Sequence, residues 1–286
     1  MTRCLPFALL LVSASALAQV SIPAKYRTAT PKSTTVVAKV NGTAITAADV
    51  EPMLWNWYGK QAIEDMMSYV LVTQDAAKRG IVISDAEVDK AIHDYVLEVQ
   101  KTRPGTEQDV TNFLNSQGFT TSRLYVRLKS TLLIDRIVTA DFHKDRFVKV
   151  ATIIVKPASA SASVVADAIK RCQSAYDDLK AGKPWDTVLM SMTNDKGLIE
   201  SHGVIGWREL GLFPQSAQDE MATLKLGQYT HPVQTQFGIQ IFRIDARGQD
   251  ASAAEIAQLK SSYITAARPS YMKDLKAKSS IQLLVK

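Results

Sequence analysis

The sequence predicts an α+β protein: a helical region contributed by both chain ends, with a compact α/β segment set between them. Three observations carry that expectation. The stretch after residue 46 reads as capped amphipathic helices until a strand-like run, FVKVATIIVK, begins near residue 146. Helices and a second strand, FGIQIFRI, follow in order. The chain then turns helical again, AAEIAQLKSSYITAA, and closes on the alternating run SIQLLVK. At 286 residues, with 46% hydrophobic and 22% charged residues, it has the composition of a globular protein large enough to pack a core.

The elements can be justified in chain order. The opening MTRCLPFALLLVSASALAQ has the form of an export signal. Arg3 supplies the basic start, the apolar run is too short to span a bilayer, and Ala16-Leu17-Ala18 places small residues before Gln19. Residues 1–18 are read as a signal peptide and the mature protein as exported and soluble, with an uncleaved anchor as the alternative. Residues 19–34 are polar and proline-bearing, the composition of a flexible lead-in. Val36–Val40 and Thr43–Thr46 flank Asn41-Gly42, a pair suited to the left-handed positions of a two-residue hairpin. Thr46 with Asp49, and Ser84 with Glu87, have the spacing of reciprocal helix N-caps. Gly118 ends a short helix, and Leu124, Leu128 and Leu132 mark a long amphipathic one from about Thr121 to Phe142. After the 147–155 strand come a helix over 163–180 stopped by Gly182, and a short helix opening at Pro184. A glycine-containing loop through Trp207, a further short helix and FGIQIFRI complete the segment. Ile281, Leu283 and Val285 alternate like a strand that could pair with the Val36–Val40 hairpin.

Several chemistries are excluded or weakened. Loss of the signal removes Cys4 and leaves Cys172 alone, so no internal disulfide can form. Cys172 shares a helical stripe with Val165, Ile169, Tyr176 and Leu179, the setting of a buried, inert thiol. The four histidines, His93, His143, His202 and His231, lack metal spacing, and no G-x-S-x-G elbow or phosphate-binding glycine loop occurs. The net charge of +6 is spread along the chain without basic blocks or basic–aromatic interleaving, which argues against nucleic acid and leaves acidic envelope surfaces or clients as alternatives. The cluster MLWNWYG, Met53 to Gly59, with Met66 and Met67 nearby, has two readings. It is either helix core, which its helical spacing favours, or an adaptable surface for apolar clients.

One residue resists the simple strand reading. Gln240 is a polar amide on a strand face shared with Gly238, Phe242 and Ile244. Thr152 lies on a corresponding face with Val150 and Ile154.

The segment from about Val148 to Ile244 resembles a parvulin-type (PpiC) peptidyl-prolyl isomerase domain. VATIIV, LKAGKPWDTV, HGVIGWRELGLF and LKLGQYTHPVQTQFGIQIF follow that family's order. The flanks, VVAKVNGTAITAADV and RGIVISDAEVDKAI, resemble the N-terminal chaperone lobe of SurA-like and PrsA-like exported foldases. The resemblance implies a small antiparallel sheet flanked by helices at 146–246, inserted into a chaperone lobe formed by 35–145 and the returning segment 247–286. It implies a periplasmic location, unfolded polypeptides with X–Pro bonds as partners, no cofactor and no metal. It also allows a homodimer through the N-terminal lobe.

Carried over by position, the resemblance puts Asp195 at the family's acidic position and Thr235 at its threonine position. Both family histidine positions are replaced, by Thr152 and Gln240. Ile205, Trp207, Phe213 and Ala217 fall in the apolar wall, and Ala217 stands where an aromatic is expected, which would reshape the proline pocket. Rotation about X–Pro breaks no covalent bond, although its barrier is roughly 18–20 kcal/mol. A dry pocket holding the twisted amide can lower that barrier without a nucleophile. Threonine and glutamine can hydrogen-bond there but do not titrate near neutral pH. The resemblance therefore implies a folding factor with weak, pH-insensitive isomerase activity. The alternatives are a holdase whose parvulin-like segment only binds peptide, and an assembly factor for one client.

Overall fold

The computed structural model describes residues 21–193 and 195–285; the expected signal peptide lies outside them. Two compact units result. One comprises the described residues up to Ile137 together with those from Ser270 onward; the other is Val138–Pro269. The protein mixes helices with a small antiparallel sheet, as the fold class required.

In the first unit, β1 (Val36–Val40) and β2 (Thr43–Thr46) pair around Asn41 and Gly42, whose φ angles of 49° and 83° are those of the anticipated turn. Thr46–Asp49 and Ser84–Glu87 both form reciprocal caps, opening α1 (Ala47–Leu54) and α3 (Asp85–Thr102). Between them a π-helical turn, Trp55–Gly59, leads into α2 (Lys60–Lys78). Then follow α4 (Glu107–Ser116) and α5 (Thr121–Ala140), the latter ending two residues before Phe142. Tyr69, Val72, Val88, Tyr125 and Ile137 are buried in this unit. Asp65 receives Arg123 at 3.0 Å and Arg127 at 3.1 Å, tying α2 to α5.

Three expectations need correction here. The lead-in is anchored: Tyr26 is buried, its ring centroid lies 4.2 Å from that of Tyr125, and its hydroxyl donates to Asp89 at 2.7 Å. A buried aromatic with a satisfied hydroxyl outweighs the polar composition around it. The MLWNWYG cluster is not core: Trp55 is 58% and Trp57 67% exposed, with Met53, Leu54 and Tyr58 also exposed. Pro52 inside α1 and the π-turn after it change the helical register, so side chains that would share one stripe on a straight α-helix fan outward. The terminal run forms no strand. Ile281 and Gln282 instead border an apolar groove along α2 with Trp55, Met66 and Val70. Alternation sets which side chains share a face but not whether the segment pairs, and here Ile281 and Gln282 line the groove along α2 instead.

In the second unit, β3 (Phe147–Val155), β4 (Val204–Glu209), β5 (Val233–Thr235) and β6 (Gly238–Arg247) form an antiparallel sheet of order β4-β3-β6-β5. Two helices, α6 (Ala162–Lys180) and α7 (Trp185–Met192), cover one face through Ile153, Val155, Ile239 and Ile241. The short α8 (Lys196–Glu200) precedes β4, and α9 (Gln215–Thr223) packs Ala217 and Met221 against Val150, Phe242 and Ile244 on the other face. Cys172 is fully buried, and burial pushes its thiol up to about 12. Ile169 is 43% exposed and leaves the expected stripe; the small Ala168 and Ala175 bring α6 onto the sheet instead. The last helix, α10, runs Ala253–Ala277.

Candidate functional site

The site grows from the period-two alternation of β3 and β6. Residues 153, 155, 239 and 241 face α6 and α7, so Thr152 and Gln240 turn to the opposite face. The register pairs Thr152 with Phe242 and Ile154 with Gln240, two residues apart along the ladder, so Thr152 and Gln240 are diagonal neighbours on one face. Gln240 Nε2 donates to Thr152 Oγ1 at 3.1 Å, and Thr152 Oγ1 lies 3.2 Å from the Ile241 carbonyl to which it donates. From β5, Thr235 Oγ1 donates to Gln240 Oε1 at 2.6 Å and accepts the Phe237 backbone N–H at 3.0 Å. Thr152 and Gln240 are 2% and 6% exposed, so this network meets the usual requirement that buried polar groups be bonded.

Above it opens a cavity of about 650 Å³. Gln240 and Thr235 contribute polar lining, and Ile205, Phe213 and Phe242 form apolar wall, with Phe213 edge-on to Phe242 at 5.0 Å. Leu212, Pro214, Phe237 and Arg208 complete much of the rim.

A β-bulge shapes the β4 wall. The ladder passes from Val150–Gly206 to Ala151–Val204, leaving Ile205 unpaired, and Gly206 takes φ 80°. Ile205 and Arg208 line the cavity as a result, while Trp207 does not; its indole donates to Glu255 Oε1 at 3.3 Å. Glu255 also accepts from Ser252 and Lys149, and these bonds hold its carboxyl down at about 2. Gly203 sets the other end of the strand. It has φ 76°, and a Cβ there would lie 2.6 Å from the Thr152 carbonyl.

The structure thus unites Thr152, Gln240 and Thr235, with Ile205 and Phe213 alongside; Thr152 lies beneath the cavity and does not line it. It places three other expected residues elsewhere. Trp207 is turned away by the bulge. Ala217 is fully buried in the α9–sheet core rather than lining the cavity. Asp195 is exposed at the start of α8, where its carboxylate caps Leu198 N–H at 3.1 Å; a capping geometry directs it along the helix, not toward the cavity. Sequence reasoning missed Leu212, Phe237 and Arg208. The signal for Phe237 was an aromatic directly before Gly238, whose φ of 137° and close approach to the Val155 carbonyl mark a tight turn.

No group of three or more His, Cys, Asp or Glu among the described residues is placed to hold a metal. No helix among them is long and apolar enough to cross a membrane.

A family model described as "Rotamase: PPIC-type PPIASE domain" matches residues 153–246, beginning just after Thr152. The chain is 24% identical over 247 residues to Chaperone SurA of Saccharophagus degradans, covering 78% of this chain and 56% of the relative. It is 23% identical over 220 residues to Foldase protein PrsA 2 of Bacillus anthracis, covering 75% and 70% respectively. The chain spans about half the length of the SurA relatives it matches. Among solved structures, peptidylprolyl isomerase PrsA from Bacillus cereus aligns with a TM-score of 0.49 and 18% identity, over 89% of this chain and 96% of that one. The chain is therefore SurA- and PrsA-like, with one parvulin-type domain.

Proposed function

We propose that this protein is an exported, periplasmic folding factor that binds unfolded polypeptides and catalyses X–Pro isomerisation weakly. The observation that carries the reading is the Thr235–Gln240–Thr152 network beneath an apolar cavity, whose lining residues all fall in the region that matches the isomerase domain. Such a cavity suits a proline ring, and the neutral network offers donors and acceptors to a twisted amide without ionising. In this reading Gln240 and Thr235 contact the reacting amide, Thr152 holds Gln240 in place from beneath, and Ile205 and Phe213 hold the ring. Asp195 contributes by capping α8.

The domain arrangement belongs to the same proposal: a parvulin-type domain over 146–246, flanked by a chaperone lobe from 35–145 and 247–286. The exposed Met53, Leu54, Trp55, Trp57 and Tyr58 would hold apolar client segments. A homodimer through the N-terminal unit is part of the reading and is checked by sedimentation.

A second reading, a holdase without catalysis, is favoured by two observations. Asp195 stands outside the cavity, and an aromatic surface suited to holding chains is already exposed. NMR exchange spectroscopy on X–Pro peptides separates the two. Faster cis/trans exchange with wild type that is lost in Gln240→Ala supports the isomerase. Peptide shifts in the cavity without faster exchange support the holdase.

A further inference from the structure

Resting on the proline-site reading above, we infer that Arg208 gives the cavity a preference for X–Pro segments bearing a carboxylate on a residue flanking the proline.

Arg208 reaches the cavity because of the bulge at Ile205 and Gly206. Its Nη1 donates to the Trp207 carbonyl at 2.7 Å, which fixes one edge of the guanidinium. No carboxylate among the described residues pairs with it, so the rest of the donor fork is open to a ligand. The neighbouring walls are apolar, Ile205, Phe213 and Phe242, and the other polar lining is neutral, Thr235, Gln236 and Gln240. No Asp or Glu lines this cavity.

A second cavity, of about 290 Å³, shares Thr235, Gln236 and Phe237 with the first. Its charged lining residue is Lys156, and it too has no carboxylate. A polypeptide crossing both cavities meets two cations and no anion. Beside apolar walls the effective dielectric is lower than in open water, and an arginine fork matches a carboxylate through two parallel bonds. The competing account is that Arg208 merely drapes its aliphatic stem over apolar surface with a solvated head, which predicts no discrimination between peptides.

The test uses the full chain and a matched peptide set titrated by NMR: Ala-Glu-Pro-Phe, Ala-Ala-Pro-Phe, Ala-Lys-Pro-Phe and Ala-Ala-Pro-Glu. At low salt the better of the two glutamate peptides should bind about two- to fivefold more tightly than Ala-Ala-Pro-Phe, the range of an ion pair to an exposed arginine such as Arg208. The lysine peptide should bind more weakly than either. The preference should shrink at high salt and collapse toward unity in Arg208→Gln, while Arg208→Lys keeps part of it. The wild-type salt titration and Arg208→Lys preserve the test should Arg208→Gln fail to fold. Equal affinities in wild type, or an unchanged preference in Arg208→Gln, overturn the inference while leaving the proline site standing. Failure of every peptide to bind overturns the proline-site reading and the preference with it.

Discussion

Gln240 on β6 and Thr152 on β3 are joined by a 3.1 Å hydrogen bond beneath the cavity, with Thr235 bonded to the other end of the same amide at 2.6 Å. Every member is neutral and has a partner. The amide is held at both ends, so its orientation is set by bonds rather than by charge. The cavity floor therefore presents fixed dipoles where an ionisable side chain would present a switch.

The first consequence concerns pH. Peptide binding, and any exchange the cavity catalyses, should be flat between about pH 6 and pH 8, because neither threonine nor glutamine changes protonation there. Gln240→His should introduce an inflection near pH 6.5, about the unperturbed histidine value. Exchange spectroscopy at a series of pH values reads this directly. An inflection already present in wild type would assign the chemistry to another group.

The network should also contribute to stability. Gln240→Ala removes the partner of two hydroxyls and opens a void beside Phe242, costing roughly 1–3 kcal/mol for the stranded polar groups. Thr152→Val combined with Gln240→Leu replaces the pair by apolar groups of similar shape. It should cost less than the sum of the two single changes. Urea unfolding of the three variants measures the coupling, and strict additivity would mean that the bond contributes nothing of its own.

Much of the fold was legible because local chemistry and tertiary placement agreed. Asn41-Gly42, Ser84–Glu87 and Gly182 are each sufficient to end or start an element, and each does so here. The pairing of Thr152 with Gln240 was legible too, since a polar side chain on a central apolar strand face requires a partner nearby, whereas Thr235 entered through the family resemblance alone. What sequence could not supply was register. One extra residue at Ile205 turns Trp207 out and Arg208 in, and nothing in GVIGWRE marks which residue bulges. The π-turn after Pro52 likewise turned an apparent core stripe into surface. The terminal strand failed for a different reason: alternation is a property of the segment, whereas pairing depends on an edge elsewhere.

Gly203 links backbone geometry to the site. Thr152 N–H donates to the Gly203 carbonyl at 2.8 Å, and a Cβ at 203 would press on the Thr152 carbonyl from 2.6 Å. Gly203→Ala must relieve that contact and sustain a left-handed φ, together roughly 1–3 kcal/mol. The strand shift should reach the Thr152–Gln240 bond, so peptide affinity is expected to fall along with the melting temperature. A melting temperature equal to that of wild type would show that the loop rearranges freely.

The exposed aromatic cluster predicts the opposite pairing of effects. Trp55→Ala with Trp57→Ala removes side chains that are more than half in solvent, so stability should change by no more than about 0.5 kcal/mol per site. Suppression of aggregation of an unfolded test protein should drop severalfold, because the double change deletes the largest apolar areas of that face. Light scattering of a refolding client checks the second effect and thermal denaturation the first. Unimpaired suppression would remove this surface from the client-binding reading.

Cys172 supplies a final check on the packing beneath the sheet. It sits on the inner face of α6, fully buried in one cluster with Ile153 and Ile241 of the sheet, and desolvation raises its thiol to about 12 from an ordinary value near 8.5. The folded-state value is the higher one, so its contribution is fully present below about pH 8.5 and is lost as pH rises through the folded value. Wild type should therefore lose stability between neutral pH and about pH 10 more steeply than Cys172→Ala, in which the slope from this group is absent. At pH 7 an aromatic disulfide reagent should label Cys172 only at the rate of opening, and labelling should become fast in denaturant. Rapid stoichiometric labelling of the native protein would show that α6 does not seal the sheet, and would place the thiol among accessible groups.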